Sequence, residues 1–407
     1  MKIAERFHLT YCSNIHPGES WAEVFANLRT YLPEVRGRLH VDGPFGVGLR
    51  LSGRAARELD DPDLLEQFRA FLTDGSYYVF TINGFPYGVF HGESVKAGVY
   101  LPDWRDPERL DYSNRLARIL AALIPEGLDL PGSVSTVPGA FRKEIRGTGD
   151  ERRIGLNMLQ HVAFLKSLEA ETSRRIVLAI EAEPACMIET IDDMIRFHRE
   201  VLRNTEVLLE ASAAAGTTID ADDVERYLGF CFDACHMAVE FEPPGEALLR
   251  LEQAGVPVFK FQISSAIRLQ IGHEDPVAAL GPFAEDVYLH QVVNRRPDGT
   301  LARFDDLPAA FDTLAGTRSS DGPETGRDAS EWRVHFHVPI FLERMQDTGT
   351  TQSYLDELLG LLRERTPSGC LEVETYTWDV LPDRYRDVDV ATAIARELAW
   401  VRERIEP

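Results

Sequence analysis

Short apolar runs alternate with segments of helical periodicity along nearly the whole chain of 407 residues. In the helical segments apolar side chains recur every three or four residues, as in Trp21, Val24 and Leu28 after the capping residue Ser20. Fully apolar runs are typical of strands buried on both faces of a parallel sheet. The predicted strands are residues 7–13, 45–51, 77–82, 133–137, 175–183, 227–232, 256–264 and 371–378.

This strand–helix alternation predicts an α/β fold, a single (β/α)₈ TIM barrel over residues 1–407, rather than a doubly wound sheet. No glycine-rich phosphate fingerprint follows the first strand, which counts against a dinucleotide-binding fold.

Two stretches depart from the alternation. Residues 84–110 form a long, aromatic-rich segment after the third strand, which predicts a lid over the mouth of the barrel. Residues 275–345 predict an insertion with a β-hairpin between the seventh and eighth strands, because 287–294 and 332–341 both have extended patterns. In the alternative arrangement, 332–341 is a barrel strand and 133–137 is not.

Polar residues interrupt several predicted strands at a spacing of two, which places both members of a pair on one face. Polar residues on the inner face, near the carboxyl ends of barrel strands, line the active-site cup. Carboxylates, histidines and amides from separate strands are ligands for Mn²⁺, Mg²⁺, Co²⁺ or Zn²⁺. The pairs are Glu181/Glu183, Lys260/Gln262, His335/His337 and Glu372/Glu374, together with Asp233 and His236 after the sixth strand.

Each pair also has an interpretation without a ligand. Glu181 or Glu183 could form an ion pair with Lys260, and Asp233 could cap the segment that follows it. The two histidines could lie in a half-exposed hairpin.

Composition narrows the class of protein. The 66 acidic and 43 basic residues give a formal net charge of −23, which argues against nucleic acid or an anionic membrane as the partner. The five cysteines are scattered and have neither zinc-finger nor paired spacing. No long apolar run or signal core is present, so we expect a soluble cytoplasmic protein without membrane insertion.

Residues 180–184, 232–236, 261–262 and 373–374 resemble the metal-site strands of the xylose isomerase-like TIM-barrel superfamily, which includes sugar isomerases and epimerases. The resemblance is closer to the EboE family of metabolite traffic proteins. It is carried by residues 8–21, 83–88, 100–104 and 135–139 together with Lys96. That family implies a role in secondary metabolism, with a small-molecule partner and other proteins of the same gene cluster.

The resemblance implies a divalent metal and a set of site residues. The implied metal ligands are Glu183 or Glu181, Asp233, Gln262 and Glu374, with His290 or His337 as substitutes for the histidine that the superfamily has at Gln262. The expected catalytic residues are Glu183, Glu374, Lys260 and His236. The expected substrate-binding residues are His8, Tyr11, Asn14, His16, Asn83, Lys96, Trp104, His337 and Trp378.

Two functions are compatible with these residues. The first is a metal-dependent sugar or sugar-phosphate isomerase or epimerase acting on a small hydroxy-carbonyl metabolite, with Glu183 and Glu374 as general base and acid. In it, Lys260 stabilises an enediolate oxygen. The second is a non-catalytic metabolite-binding or traffic protein that retains the barrel pocket. The neutral side chain of Gln262 and the aromatic lid favour the second.

Overall fold

The computed structural model describes residues 1–85, 96–271, 275–317, 330–365 and 369–406. A short strand, β1 (Lys2–Ile3), pairs antiparallel with the first strand of a parallel barrel. The next seven strands are β2 (Phe7–Tyr11), β3 (Phe45–Arg50), β4 (Tyr77–Asn83), β5 (Gly132–Thr136), β6 (Ile176–Glu181), β7 (Leu228–Asp233) and β8 (Val258–Ile263). The eighth barrel strand, β15 (Gly369–Val373), comes after an insertion of six further strands.

The barrel order places β15 between β2 and β8, and the remaining strands follow in reverse chain order to β3. Every adjacent pair from β2 through β15 round to β3 is parallel. A single parallel bridge between Cys12 and Gly48 joins β2 to β3 and closes the ring. The predicted (β/α)₈ barrel is therefore confirmed, and the alternative that removes 133–137 is wrong, because β5 pairs with both β4 and β6.

Helices surround the barrel. Ser20 caps the first of them as predicted: its side chain accepts from the Glu23 N–H, and Glu23 returns a bond to the Ser20 backbone. The helices of the described residues are α1 (Trp21–Leu39), α2 (Gly53–Leu59), α3 (Pro62–Asp74), α4 (Pro107–Leu123), α5 (Thr148–Thr172), α6 (Ile191–Phe197), α7 (Thr205–Ala215), α8 (Ala221–Tyr227), α9 (Ala234–Val239), α10 (Pro244–Gln253), α11 (Pro276–Leu280), α12 (Leu307–Thr317), α13 (Gln352–Arg365) and α14 (Val390–Ile405). None of these helices is long and apolar enough to span a membrane.

The insertion forms a second sheet. Its strands are β9 (Ser265–Gln270), β10 (Val292–Arg295), β11 (Leu301–Phe304), β12 (Glu331–Val338), β13 (Arg344–Met345) and β14 (Thr348–Thr350), in the order β11-β10-β12-β9-β14-β13. All of its pairings are antiparallel. The sequence predicts a hairpin within 275–345, but the sheet already begins at Ser265, separated from the end of β8 by one residue. The apolar run at the seventh strand concealed this start because β9 continues it almost without interruption.

Candidate metal centre

Three carboxylates meet at the carboxyl ends of β6, β7 and β15. Glu181 and Asp233 are the last residues of their strands, and Glu374 directly follows β15. One oxygen from each lies within 4.8 Å of the other two, and all three residues are at most 4% exposed. Parallel strands end at the same edge of a barrel, and this register brings the carboxylates together.

Amide side chains surround the Glu374 carboxylate. Asn14 Nδ2 donates to its Oε1 over 2.7 Å, and Asn83 Nδ2 donates to the same oxygen over 2.9 Å. Gln262 Nε2 donates to Oε2. The carbonyl oxygen of Gln262 accepts a bond from Cys231 Sγ, so this amide is engaged on both sides. Burial, and after it the charge of Asp233, raises the pKa of Glu374 well above its ordinary value.

The carboxylates of Glu181 and Asp233 have fewer hydrogen-bond partners than that of Glu374. Asp233 Oδ1 caps α9 by accepting from the His236 N–H and from Ser264 Oγ, over 2.9 and 2.8 Å. Among the described residues, no donor reaches Asp233 Oδ2 or Glu181 Oε2, although both atoms are buried. Burial, followed by the charges of Glu374 and Asp233, raises the pKa of Glu181 well above its ordinary value. Such a cluster needs a cation or a bound proton.

Three histidines border the carboxylates, one from α9 and two from β12. In each, Nδ1 faces a carbonyl oxygen: Ala182 O at 2.8 Å from His236, Gln291 Oε1 at 2.7 Å from His335, and Glu374 O at 2.9 Å from His337. The Nε2 atoms of His236 and His335 are 3.0 Å apart. Burial lowers the pKa of His337 to about 4, and burial with the charges of the neighbouring imidazoles lowers the pKa of His335 well below its ordinary value.

Glu183 lies beside the histidines rather than in the carboxylate cluster. Its Oε1 accepts from the Tyr100 hydroxyl over 2.6 Å, and its buried Oε2 has no partner among the described residues. Ligand atoms of Glu183, His236 and His335 lie within 4.8 Å of one another. Burial raises the pKa of the Glu183 carboxyl.

A cavity of about 50 Å³ lies between these groups. Asn14, Glu181, Glu183, the three histidines and Glu374 form its polar wall. Aromatic and aliphatic surface comes from Phe85, Val99, Tyr100, Tyr288, Leu289 and Tyr376. Lys96 also lines it, and its Nζ contacts Asp306 Oδ2 and the Tyr288 carbonyl of the insertion over 2.9 and 2.8 Å. The volume holds an ion and a few water molecules.

Part of the cavity wall comes from residues 84–110, the segment that the sequence predicts to be a lid. Phe85, Lys96, Val99 and Tyr100 of this segment line the cavity, while 86–95 lie outside the described residues. Trp104, an expected substrate contact, is instead fully buried and donates from Nε1 to Thr136 Oγ1 over 2.9 Å. It holds the end of the segment against β5.

Lys260 lies outside the cavity wall. Its Nζ is 2.6 Å from Glu372 Oε2, and neither side chain is exposed to solvent. Lys260 and Glu372 share the inner face with Gln262 and Glu374 but lie two residues deeper, below the cup. Burial alone would lower the pKa of Lys260, but the charge of Glu372 raises it well above its ordinary value.

Other expected residues lie away from the cavity. His8 is near the start of β2, at the opposite end of the barrel, where it contacts Tyr78 Oη and Asp129 Oδ1. Tyr11 Oη contacts His16 Nε2 over 3.2 Å, and His16 stacks on Tyr31 of α1. Alternation along β2 directs Tyr11 outward to the helices.

Two further residues do not reach the cavity wall either. His290 Nε2 is 2.8 Å from Glu285 Oε1, and its Nδ1 faces the His335 carbonyl. Trp378 is buried in the short 3₁₀ turn Tyr376–Val380 after β15.

The structure also brings residues into the site that the sequence did not assign to it. His335 belongs to the predicted pair on β12. Its spacing of two from His337 is the sequence feature that indicates a shared strand face. Tyr100 was expected only as a lid aromatic. Gln291 gave no signal, because its bonds to Tyr100 Oη, the Pro184 carbonyl and His335 all depend on how the insertion folds over the barrel.

Comparison with known proteins agrees with this architecture. No family model matches the chain, and no curated protein matches it in sequence. Among solved structures, it resembles a xylose isomerase-like TIM-barrel protein from Mycobacterium smegmatis in complex with magnesium. The identity is 11% and the TM-score 0.53, over 100% of this chain and 98% of the other.

Two weaker likenesses are to a xylose isomerase domain protein from Planctomyces limnophilus and to a D-tagatose 3-epimerase-like protein. The first has 12% identity and a TM-score of 0.48, over 92% of this chain and 93% of the other. The second has 10% identity and a TM-score of 0.47, over 98% of both chains. The likeness to the Mycobacterium smegmatis structure, together with the parallel barrel of the described residues, shows that the chain has the xylose isomerase-like TIM-barrel fold.

Proposed function

We propose that the protein is a divalent-metal-dependent isomerase or epimerase of a small hydroxy-carbonyl compound. The observation that carries this proposal is the cluster of Glu181, Asp233 and Glu374, whose oxygens lie within 4.8 Å in a buried cup. Among the described residues, the buried Lys260 below the cup is already paired with Glu372. Two of the carboxylate oxygens have no hydrogen-bond partner among the described residues, so a cation fits beside them.

The residues that would hold the ion are Glu181, Asp233 and Glu374, with Gln262 beside them. The sequence favoured Glu183 over Glu181, but the oxygens of Glu181 are the ones that join the cluster. A bound divalent ion would polarise a carbonyl and an adjacent hydroxyl of the substrate. An amide is a neutral and weaker ligand than the histidine common in the superfamily, so we expect modest affinity for the ion.

Glu183 is the group best placed to move a proton. It faces the cavity, its buried carboxyl has a raised pKa, and the Tyr100 hydroxyl orients it. A carboxyl with a pKa nearer to neutral both accepts and returns a proton efficiently. Glu374 is held by three amides and is better suited to bind the ion than to exchange protons. Lys260 has no role in this proposal, because Glu372 binds it below the cup.

The alternative function is a metabolite carrier, as the resemblance to EboE proteins implies. Gln262 favours it, because its amide contacts Glu374 and Cys231 and leaves the fourth ligand position weak. The aromatic and aliphatic half of the cavity favours it too, since such a wall suits a less polar ligand. A carrier would bind its ligand without exchanging substrate protons.

The metal is tested by thermal and chemical unfolding with Mg²⁺, Mn²⁺ or chelator. A hundredfold excess of ion over its Kd should raise the free energy of unfolding by about 2.7 kcal/mol. Asp233→Asn should abolish most of this response while keeping the cap of α9, because the amide oxygen still accepts the His236 N–H. The matched control is Asp61→Asn at the exposed cap of α3, which should respond like the wild type. If the wild-type protein unfolds identically with ion and with chelator, the proposal that the carboxylate cluster binds a metal ion is wrong.

Catalysis is tested separately by proton exchange. The protein is incubated with Mn²⁺ and a panel of ketoses and ketose phosphates in ²H₂O, and deuterium incorporation next to the carbonyl is followed by NMR. Glu183→Gln should lower the exchange rate by at least about 100-fold, the scale of a lost general base, and retain the stabilisation by metal. Saturable binding of a panel compound without exchange would support the carrier instead.

A further inference from the structure

The imidazole rings of His236 and His335 face each other through their Nε2 atoms. Their Nε2 atoms are 3.0 Å apart. His236 Nδ1 faces a backbone carbonyl oxygen, which can only accept, so Nδ1 carries the hydrogen. His335 Nδ1 faces Gln291 Oε1, and the orientation of that amide is determined because its nitrogen donates to the Pro184 carbonyl over 3.1 Å. When both rings are in the neutral form, each Nε2 therefore has its lone pair facing the other.

Two lone pairs at this distance repel each other unless a cation or a proton lies between them. The spacing suits two neighbouring ligands of one metal ion. With Zn–N bonds of about 2.0–2.1 Å, nitrogens that subtend a right to a tetrahedral angle are roughly 2.9–3.4 Å apart. The carbonyl partners on Nδ1 are those that metal-binding histidines usually have.

Glu183 supplies a third ligand at the same place. Its Oε2 is buried without a partner, and the ligand atoms of Glu183, His236 and His335 lie within 4.8 Å of one another. Its other oxygen is held by Tyr100, which also accepts a bond from Gln291. Tyr100 and Gln291 thus connect the carboxylate to one of the histidines and keep both in position.

We propose that Glu183, His236 and His335 form a second metal site, selective for a borderline ion such as Zn²⁺, beside the oxygen-rich site of Glu181, Asp233 and Glu374. Two nitrogens and one carboxylate prefer such an ion to Mg²⁺. Metal binding here does not depend on the proposed function. The effect on catalysis does rest on the proposed function. An ion bound to Glu183 prevents this carboxylate from transferring protons, so Zn²⁺ in this site inhibits proton exchange.

The site is tested by metal stoichiometry. Metal-free protein is titrated with Zn²⁺ and Co²⁺, dialysed and analysed for bound metal, and the visible absorption of bound Co²⁺ reports the ligand environment. The wild type should bind two equivalents. His335→Gln should bind one, with the nitrogen-rich cobalt spectrum lost, and Glu181→Gln should keep that spectrum while losing the other equivalent. His161→Asn, which removes a buried histidine on α5 that bonds to Asn114, is the matched control and should bind two.

The results separate this site from the first. The second site would be overturned if the wild type bound a single equivalent of metal and Glu181→Gln bound none. A proton between the two Nε2 atoms would then join the histidines. Retention of both equivalents by His335→Gln would overturn it as well. If His335→Gln does not fold, Glu183→Gln serves instead, because its amide oxygen still accepts from Tyr100 while the charged ligand is lost. Failure of the proposed function, with no proton exchange for any compound, would leave these stoichiometries unchanged.

Tyr100 is a positioning residue for this site. Its hydroxyl orients Glu183 and meets Gln291, so Tyr100→Phe should weaken the binding of the second Zn²⁺ by about 10- to 100-fold, the usual effect of removing an outer partner of a ligand. Binding at the oxygen-rich site should not change. Competition with a chromophoric chelator measures both affinities, and equal weakening at the two sites would indicate a general structural defect instead.

Discussion

Replacing Lys260 by methionine is expected to destabilise the fold by about 3–5 kcal/mol, because it leaves the buried Glu372 carboxylate without a counter-charge. The two groups are 2.6 Å apart and neither is exposed to solvent. The backbone around them is close as well, since a Cβ on Gly48 would clash with the Glu372 carboxylate. The lost charge therefore has no space in which water could compensate for it. Denaturant unfolding in the presence of chelator measures the effect without interference from bound metal.

The double variant Lys260→Met with Glu372→Leu provides the decisive comparison. Replacing both partners of a buried ion pair by apolar side chains is often neutral or stabilising, so most of the lost stability should return. Lys2→Met, which breaks the exposed pair with Asp129, should cost no more than about 1 kcal/mol. A double variant as unstable as the single one would show that Lys260 acts by packing and not by its charge.

Without metal, the wild type is expected to lose stability relative to Glu181→Gln as the pH rises from about 5 to 8. The pKa of Glu181 lies well above its ordinary value of 4.5 in the folded protein. Between these values the folded state binds more protons than the unfolded state, so its stability falls with rising pH. The loss for a single proton cannot exceed about 1.4 kcal/mol per pH unit.

Using the difference between the two proteins removes from the measurement the titrations that are not coupled to Glu181. Glu397, whose pKa burial raises to about 7, contributes with the same sign in both proteins. His337, with a pKa lowered to about 4, contributes with the opposite sign in both. Saturating Mg²⁺ or Mn²⁺ should abolish most of the dependence of this difference on pH, because the ion replaces the proton. Parallel stability curves across this range would contradict a raised pKa of Glu181.

The barrel could be predicted because its strands are buried on both faces and therefore stand out as apolar runs. Polar residues at a spacing of two indicate the inner face, which identifies Glu374. Asp233 stands out because it directly follows the apolar run 227–232 and precedes His236 by three residues. The spacing of polar residues shows which face of a strand they lie on, but not how far along the barrel axis they lie. For this reason the sequence predicts Lys260 in the cup, although the residue lies below the cup. It also could not decide between Glu181 and Glu183, whose roles depend on small differences in position after β6.

The insertion was harder to predict, for a physical reason. Strand β9 pairs with β12 and β14, which come much later in the chain, and such pairing leaves no local signal at Ser265. The contact between His335 and His236 likewise depends on how the second sheet lies on the barrel. The two-residue spacing of His335 and His337 indicated a shared face, but only the folded insertion shows what that face meets.

The cup is assembled from segments that are distant in the sequence, and this has a consequence for folding kinetics. Asn14 and Glu374 are 360 positions apart, and His236 and His335 are 99 positions apart. Contacts of such long range form slowly, because the intervening chain must first be ordered. The binding site should therefore appear only at the end of folding, after the barrel strands from β3 to β8 have paired with their neighbours. During refolding, metal binding should lag behind the recovery of secondary structure.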